Sequence, residues 1–423
     1  MRIKQYPKIN ETVYSAELEN GLAINIIAKP GYSKCFAMFA TNYGGADRRF
    51  RLHDDWIDTP AGVAHFLEHK MFDTPDGGNA LTVLSARGAS PNAFTSSGMT
   101  AYHFECTSDF EENLRTLLSF VSVPYFTEES IQKEQGIIGQ EIRMVEDMPG
   151  HAIYYNLLKC LYQQNPVRES VAGSIESIAE ITAQTLYDCH KVFYSPSNMV
   201  LNIAGDVDPE HVVSIAREIL SSERQVAPER DYGTEESELP LQQYISVNME
   251  VSAPQFLLGA RIQPAKHGLP LLHQQLVAEL ALECMFGTSS PLYVKLYADG
   301  LLSHDFGAEF DYSAGSMVLL AGGESRDPDT VAIAMRDELT RFASEGPTAE
   351  FFIRTKKVCF GDHLRTLGYF RSLCSEMCSS HFLGFSPLDA FELLETITSE
   401  DVRSFVAAHL TPEKLAMSVI LPK

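Results

Sequence analysis

The chain has 423 residues, of which 45% are apolar, 21% charged and 10% aromatic. That is about two to three times the size of one domain, with the composition of a packed globular protein and not of a disordered or fibrous one. Its 33 basic residues face 56 acidic ones, a formal charge of -23, which repels a phosphate backbone or an anionic bilayer, so nucleic acid and membrane surfaces are not expected as partners.

The segment Met1 to Glu19 carries charges throughout and has no apolar core of the kind a secretory signal needs. No stretch reaches the roughly 20 apolar residues of a membrane span. Strands are expected over Leu22 to Ile27, after Asn20-Gly21, and over Cys35 to Thr41, after Pro30-Gly31, as an opening β-meander. Helical spacing follows over Ala64 to Met71 and Ala80 to Ala86, then a strand-like Met99 to Thr107 and a helix over Phe110 to Val121. Strands and helices mix without strict βαβ alternation, which predicts an α+β fold. The 8 cysteines are dispersed and include no CxxC pair, which fits a reducing compartment, most simply the cytoplasm.

The two halves echo each other. Glu68-His69-Lys70-Met71-Phe72 is answered by Leu282-Glu283-Cys284-Met285-Phe286, and Ile181-Thr182 with Ser195-Pro196 by Ile397-Thr398 with Thr411-Pro412. Both echoes fall at nearly the same offset, and apolar strands follow each Ser/Thr-Pro step, Met199 to Ala204 and Leu415 to Leu421. Equal offsets predict tandem copies of one fold. The division expected is 1-221 as an N-terminal metal-binding domain, 222-240 as an aperiodic Glu/Pro-rich linker, and 241-423 as a homologous domain without metal.

His65-Phe66-Leu67-Glu68-His69 sets two imidazoles four residues apart, one helical turn above each other on one face, where both can grip one metal ion. Glu68 lies on the flank of that face, placed to reach a water at the metal without being a ligand. This H-x-x-E-H order is the reverse of the zinc helix HExxH. A catalytic zinc needs a third protein ligand. Glu141 is the leading candidate, seven residues after Glu134 on one helix face, although an acidic face is also what any solvated helix shows. Gly136 and Gly139 weaken that helix, a cost that predicts close approach by another backbone. Cys374, Cys378 and His381 also lie at one-turn spacing, but apolar neighbours favour a packed helix face over a second metal site. Neither a G-x-S-x-G nor a GxxxxGK[ST] motif is present, which removes the commonest serine-hydrolase and nucleotide-binding readings.

Together, the H-x-x-E-H helix, the E-x6-E helix and Ser90-Pro91-Asn92-Ala93-Phe94-Thr95-Ser96 with Thr100 and Tyr102 resemble the pitrilysin (insulysin) family of zinc peptidases, which includes the mitochondrial processing peptidases. The resemblance covers nearly the whole chain. It implies duplicated α+β halves, each a mostly antiparallel sheet with helices packed on it, enclosing a chamber. It also implies a zinc-dependent endopeptidase of short or unfolded peptides, with one Zn2+ per chain held by His65, His69 and Glu141. Glu68 would be the general base, and Glu134 would orient a ligand histidine. Asn92, Ala93 and Phe94 would form the edge strand on which a substrate is laid as an added β-strand.

One departure shapes the partner expectation. Family members carry an Arg and a Tyr in the second half that hold substrate and the developing oxyanion, whereas here Pro291 stands at the Arg position and Ser303 near the Tyr. Tyr297 or His304 are the nearby substitutes. The pattern resembles bacterial two-subunit members, in which one chain brings zinc and a related chain brings the Arg/Tyr pair. A heterodimer with a homologous subunit is therefore expected ahead of a homodimer. The rival reading from another class is a non-catalytic structural subunit, and a further one is a zinc hydrolase of non-peptide amides.

Overall fold

In the computed structural model, which describes residues 1–423, the strands of the first half are β1 (Arg2–Tyr6), β2 (Glu11–Glu17), β3 (Ala23–Ala28), β4 (Cys35–Thr41), a separate hairpin of β5 (Arg49–Leu52) and β6 (Asp55–Asp58), β7 (Ser90–Thr95), β8 (Thr100–Cys106) and β9 (Met199–Gly205). All but the hairpin join one seven-stranded sheet in the order β1-β2-β3-β9-β4-β8-β7. Its pairs are antiparallel except β3 with β9. The second half supplies β10 (Tyr244–Met249), β11 (Gln255–Ile262), β12 (Gly307–Ser313), β13 (Ser316–Glu324) and β14 (Leu415–Pro422), in the order β10-β14-β11-β13-β12. There too one pair is parallel, β10 with β14, and the others are antiparallel. Strand for strand this repeats β3-β9-β4-β8-β7, so the chain is α+β with two homologous halves, as the sequence predicts. The first half adds β1 and β2. Sequence patterning does not reveal β1, because it is exposed at four of its five positions and lacks alternation.

The expected meander is interrupted: β9 lies between β3 and β4. Strand β4 is buried on both faces, which is why its sequence is an unbroken apolar run. Cys35, Ala37 and Phe39 enter the main core, while Phe36, Met38 and Ala40 pack with Phe370, Cys374 and Cys378 of the helix Phe370–Phe382. Full burial of each Phe or Met contributes about 1.5–3 kcal/mol. Cys374 and Cys378 are thus core residues, with the Asn202 side-chain amide donating to Cys378 Sγ at 3.0 Å.

Helices of the first half include α1 (Val63–Lys70), α2 (Ala80–Ala86), α3 (Phe110–Ser122), α4 (Glu128–Glu146) and α5 (Pro149–Leu161). The chain forms two compact units, one of Met1–Ile142, Ser170–Tyr232 and Leu364–Leu388, the other of Arg143–Glu169, Gly233–His363 and Asp389–Lys423. These units are discontinuous and so cross the linear division 1-221, 222-240 and 241-423. Helix α5, from the first half, packs on β10, β11 and β14 in the second unit, and Phe370–Phe382, from the second half, packs on β4 and β9 in the first. Residues up to Tyr232 of the aperiodic stretch also belong to the first unit. They are held there by Arg230 and Tyr232, whose Nε and hydroxyl lie 2.9 and 2.7 Å from Asp47 Oδ1.

Candidate active site

Helix α1 is fixed by its apolar side before its polar side can do chemistry. Val63, Ala64, Phe66 and Leu67 are buried in the main core, which leaves His65, Glu68 and His69 together on the remaining face. Gly62, at the start of the helix, has φ +96°, and a Cβ there would lie 2.6 Å from Ala172 O, so only glycine lets the helix begin so close to that loop. Helix α4 is anchored in the same way by Ile131, Ile138 and Ile142, and their spacing turns Glu134 and Glu141 toward α1.

The result is a cluster in which the ligand-capable atoms of His65, His69 and Glu141 all lie within 4.8 Å of one another. His65 Nε2 is 3.6 Å from Glu141 Oε1, and His69 Nε2 is 3.7 Å from Glu141 Oε2. Tetrahedral ligands about 2.1 Å from a zinc ion stand about 3.4 Å apart, so this donor set fits zinc. Glu134 Oε1 lies 3.1 Å from His69 Nδ1. A proton held there fixes the tautomer that leaves the Nε2 lone pair free for a metal. The other Glu134 oxygen is 3.7 Å from the ammonium of Lys70, itself buried and paired with Asp73.

Glu68 is buried, only 8% exposed, and its Oε2 accepts a hydrogen bond from the Thr95 hydroxyl at 2.6 Å. Burial raises its carboxyl above the ordinary range, and Glu141 adds to that, against the opposing pull of Thr95 and His69. Burial lowers His69, but the Glu134 bond and the charges of Glu68, Glu134 and Glu141 outweigh it and leave the imidazole above its usual value. His65 is depressed to about 4, by burial first and by His69 second. Burial alone would raise Glu134, yet His69 and Lys70 hold it below the usual range.

Asn92, Ala93 and Phe94 lie on β7, the outer strand of the sheet, which pairs only with β8 and is contacted by α1 and α2. Thr95 ends the same strand, and its bond to Glu68 is visible only in the structure, because it joins residues of a helix and a hairpin 27 positions apart. No backbone of another element lies where a Cβ would stand at Gly136 or Gly139. A Cβ at Gly136 would meet nothing within 4 Å, and one at Gly139 only Ile175 Cδ1 at 3.4 Å.

The second half has no such cluster. Its helix Leu269–Phe286 carries Glu279 and Glu283 at the spacing of His65 and His69, and His363 of the helix Ala349–Thr366 reaches Glu279 at 2.9 Å. A hydrogen-bond contact joins two helices there, where the first half gathers three groups able to hold a metal. Pro291 is the first residue of the helix Pro291–Ala298, and Tyr297 and His304 are exposed. No helix in the chain is long and apolar enough to cross a membrane.

Comparison with known proteins bears on the family and the fold. Residues 57–174 match the insulinase family (peptidase family M16), and residues 180–359 match the peptidase M16 inactive domain. The chain is 38% identical to YmfH of Bacillus subtilis strain 168, described as an uncharacterized zinc protease, over 99% of both sequences. A crystal structure of an M16-like peptidase from Alicyclobacillus acidocaldarius superposes with a TM-score of 0.93 at 33% identity, covering 98% of this chain and 99% of that one. Pitrilysin shares the fold, with a TM-score of 0.79 at 18% identity, this whole chain matching 46% of pitrilysin. The chain therefore belongs to the insulinase family of M16 peptidases.

Proposed function

We propose that this protein is a zinc-dependent endopeptidase of short or unfolded peptides, working as the catalytic subunit beside a homologous chain. The observation that carries this reading is the convergence of His65, His69 and Glu141 around one point, with the buried carboxylate of Glu68 beside it. Zinc bound by those three residues would supply Lewis acidity toward a water and toward the scissile carbonyl. Glu68, raised by burial toward the working range of a general base, takes a proton from the attacking water and returns it to the leaving amine. Glu134 keeps His69 in its metal-binding tautomer. The free edge of β7 offers main-chain donors and acceptors to an extended peptide at Asn92, Ala93 and Phe94, a mode that selects for flexibility more than for sequence.

Pro291 and Ser303 in place of an Arg/Tyr pair favour a homologous partner over a homodimer, and the zinc protease name of its 38% identical relative favours a peptide as substrate. The test is mass spectrometry of an unstructured peptide pool incubated with the zinc-loaded chain, alone and with a homologous subunit. Glu68→Gln and a chelator serve as controls. Internal cleavage should fall by about 10²–10⁴-fold in Glu68→Gln and vanish with the chelator. Peptides left intact in both settings would refute the reading.

A further inference from the structure

Thr95 stands at the end of β7, opposite Thr100 of β8 where the hairpin closes. Its hydroxyl donates to Glu68 Oε2 at 2.6 Å, which occupies one carboxylate oxygen and leaves Oε1 to exchange a proton. We propose that Thr95 is the positioning residue of the general base: its hydroxyl fixes the rotation of the Glu68 carboxylate, so that a single oxygen faces the attacking water. This inference rests on the peptidase reading.

A hydroxyl can aim another group only if it is itself immobile, and the surroundings of Thr95 supply that. The turn after it is closed by Ser96 N donating to Met99 O at 2.8 Å. A second segment, Tyr43 to Asp47, is laid along this turn: Gly45 N and Ala46 N donate to Ser96 O and Ser97 O, each at 2.9 Å, and the Thr100 hydroxyl donates to Tyr43 O at 2.9 Å. The two segments are so close that a Cβ on Gly44 would lie 2.5 Å from Gly98 N, Ser96 O and Ser97 C, a fit that no other residue permits without moving backbone. The far side of the brace is tied as well. Asp47 Oδ2 accepts from Gly44 N at 2.8 Å, while its Oδ1 takes Tyr232 and Arg230. Thr95 is thus held on rigid backbone, the condition under which one hydrogen bond can set the direction of a catalytic group.

The experiment compares Thr95→Val, which keeps the shape and removes the hydroxyl, with Thr95→Ser, which keeps the hydroxyl. In the zinc-loaded chain, Thr95→Val is expected to lower kcat by about 10- to 100-fold with KM within about twofold and zinc content unchanged, since a misaimed base loses rate and not binding. Thr95→Ser should stay within about threefold of the parent. In Glu68→Gln, adding Thr95→Val should cost nothing further. Crystal structures of both Thr95 variants without metal give a readout independent of activity: the Glu68 carboxylate should turn in Thr95→Val and stay in place in Thr95→Ser. An unchanged kcat in Thr95→Val, an equal loss in both variants, or a Glu68 carboxylate that keeps its orientation without the hydroxyl would overturn the proposal. Should the parent chain cleave no peptide either alone or with a homologous subunit, the peptidase reading fails, and the metal-free structures still decide whether Thr95 aims Glu68.

Discussion

Glu68 and Glu134 are carboxylates beside the same cluster with opposite environments, and the difference suits each to the work proposed for it. Glu68 has one neutral hydroxyl donor and is raised by burial, whereas Glu134 has His69 at 3.1 Å and Lys70 at 3.7 Å and is held low. A carboxylate that must accept and release a proton belongs in the first environment, and one that must stay charged to steer an imidazole belongs in the second. Glu134→Gln should therefore weaken zinc binding by about 10- to 100-fold without removing a ligand, a change that competition with a chromogenic chelator measures directly. An affinity equal to the parent's would show that the bond to His69 orients nothing.

At the scale of elements, α4 does two jobs with separate residues. Its isoleucines at 131, 138 and 142 hold it to the core, and its glutamates at 134 and 141 meet α1. Gly136 serves neither, because nothing beyond the neighbouring backbone of its own helix lies within 4 Å of where its Cβ would be. Gly136→Ala should accordingly stabilise the protein by about 1 kcal/mol through helix propensity alone, seen as a higher midpoint in thermal or urea unfolding. A lower midpoint would mean that the site is not open. Legibility in the sequence divides along physical lines. Helices with a strong apolar stripe, such as Ala80–Ala86 and Phe110–Ser122, are legible almost to the residue. The edge strand β1 is not, since an exposed strand has no burial pattern to betray it, and the place of β9 between β3 and β4 depends on pairing across more than 150 positions. The clustering of His65, His69 and Glu141 is legible because helical spacing puts His65 and His69 on one face, and the family resemblance singles out Glu141. The Thr95–Glu68 bond is not legible, because two unrelated elements make it.

At the scale of the molecule, duplication explains why one chain carries two similar helix pairs closed in different ways. In the first half, α1 and α4 meet through His65, His69, Glu134 and Glu141. In the second, Leu269–Phe286 and Ala349–Thr366 meet through Glu279 and His363. A single metal per chain is therefore predicted, since carboxylates at 279 and 283 stand where the first half has both histidines of the motif. The most direct test is to count zinc in the metal-stripped chain after titration, by elemental analysis of the protein freed of excess ion. One equivalent is predicted for the parent and for Glu68→Gln, and none retained by His65→Ala or His69→Ala. A parent that holds no zinc, or a full equivalent that survives either histidine substitution, would contradict a single zinc site at His65, His69 and Glu141.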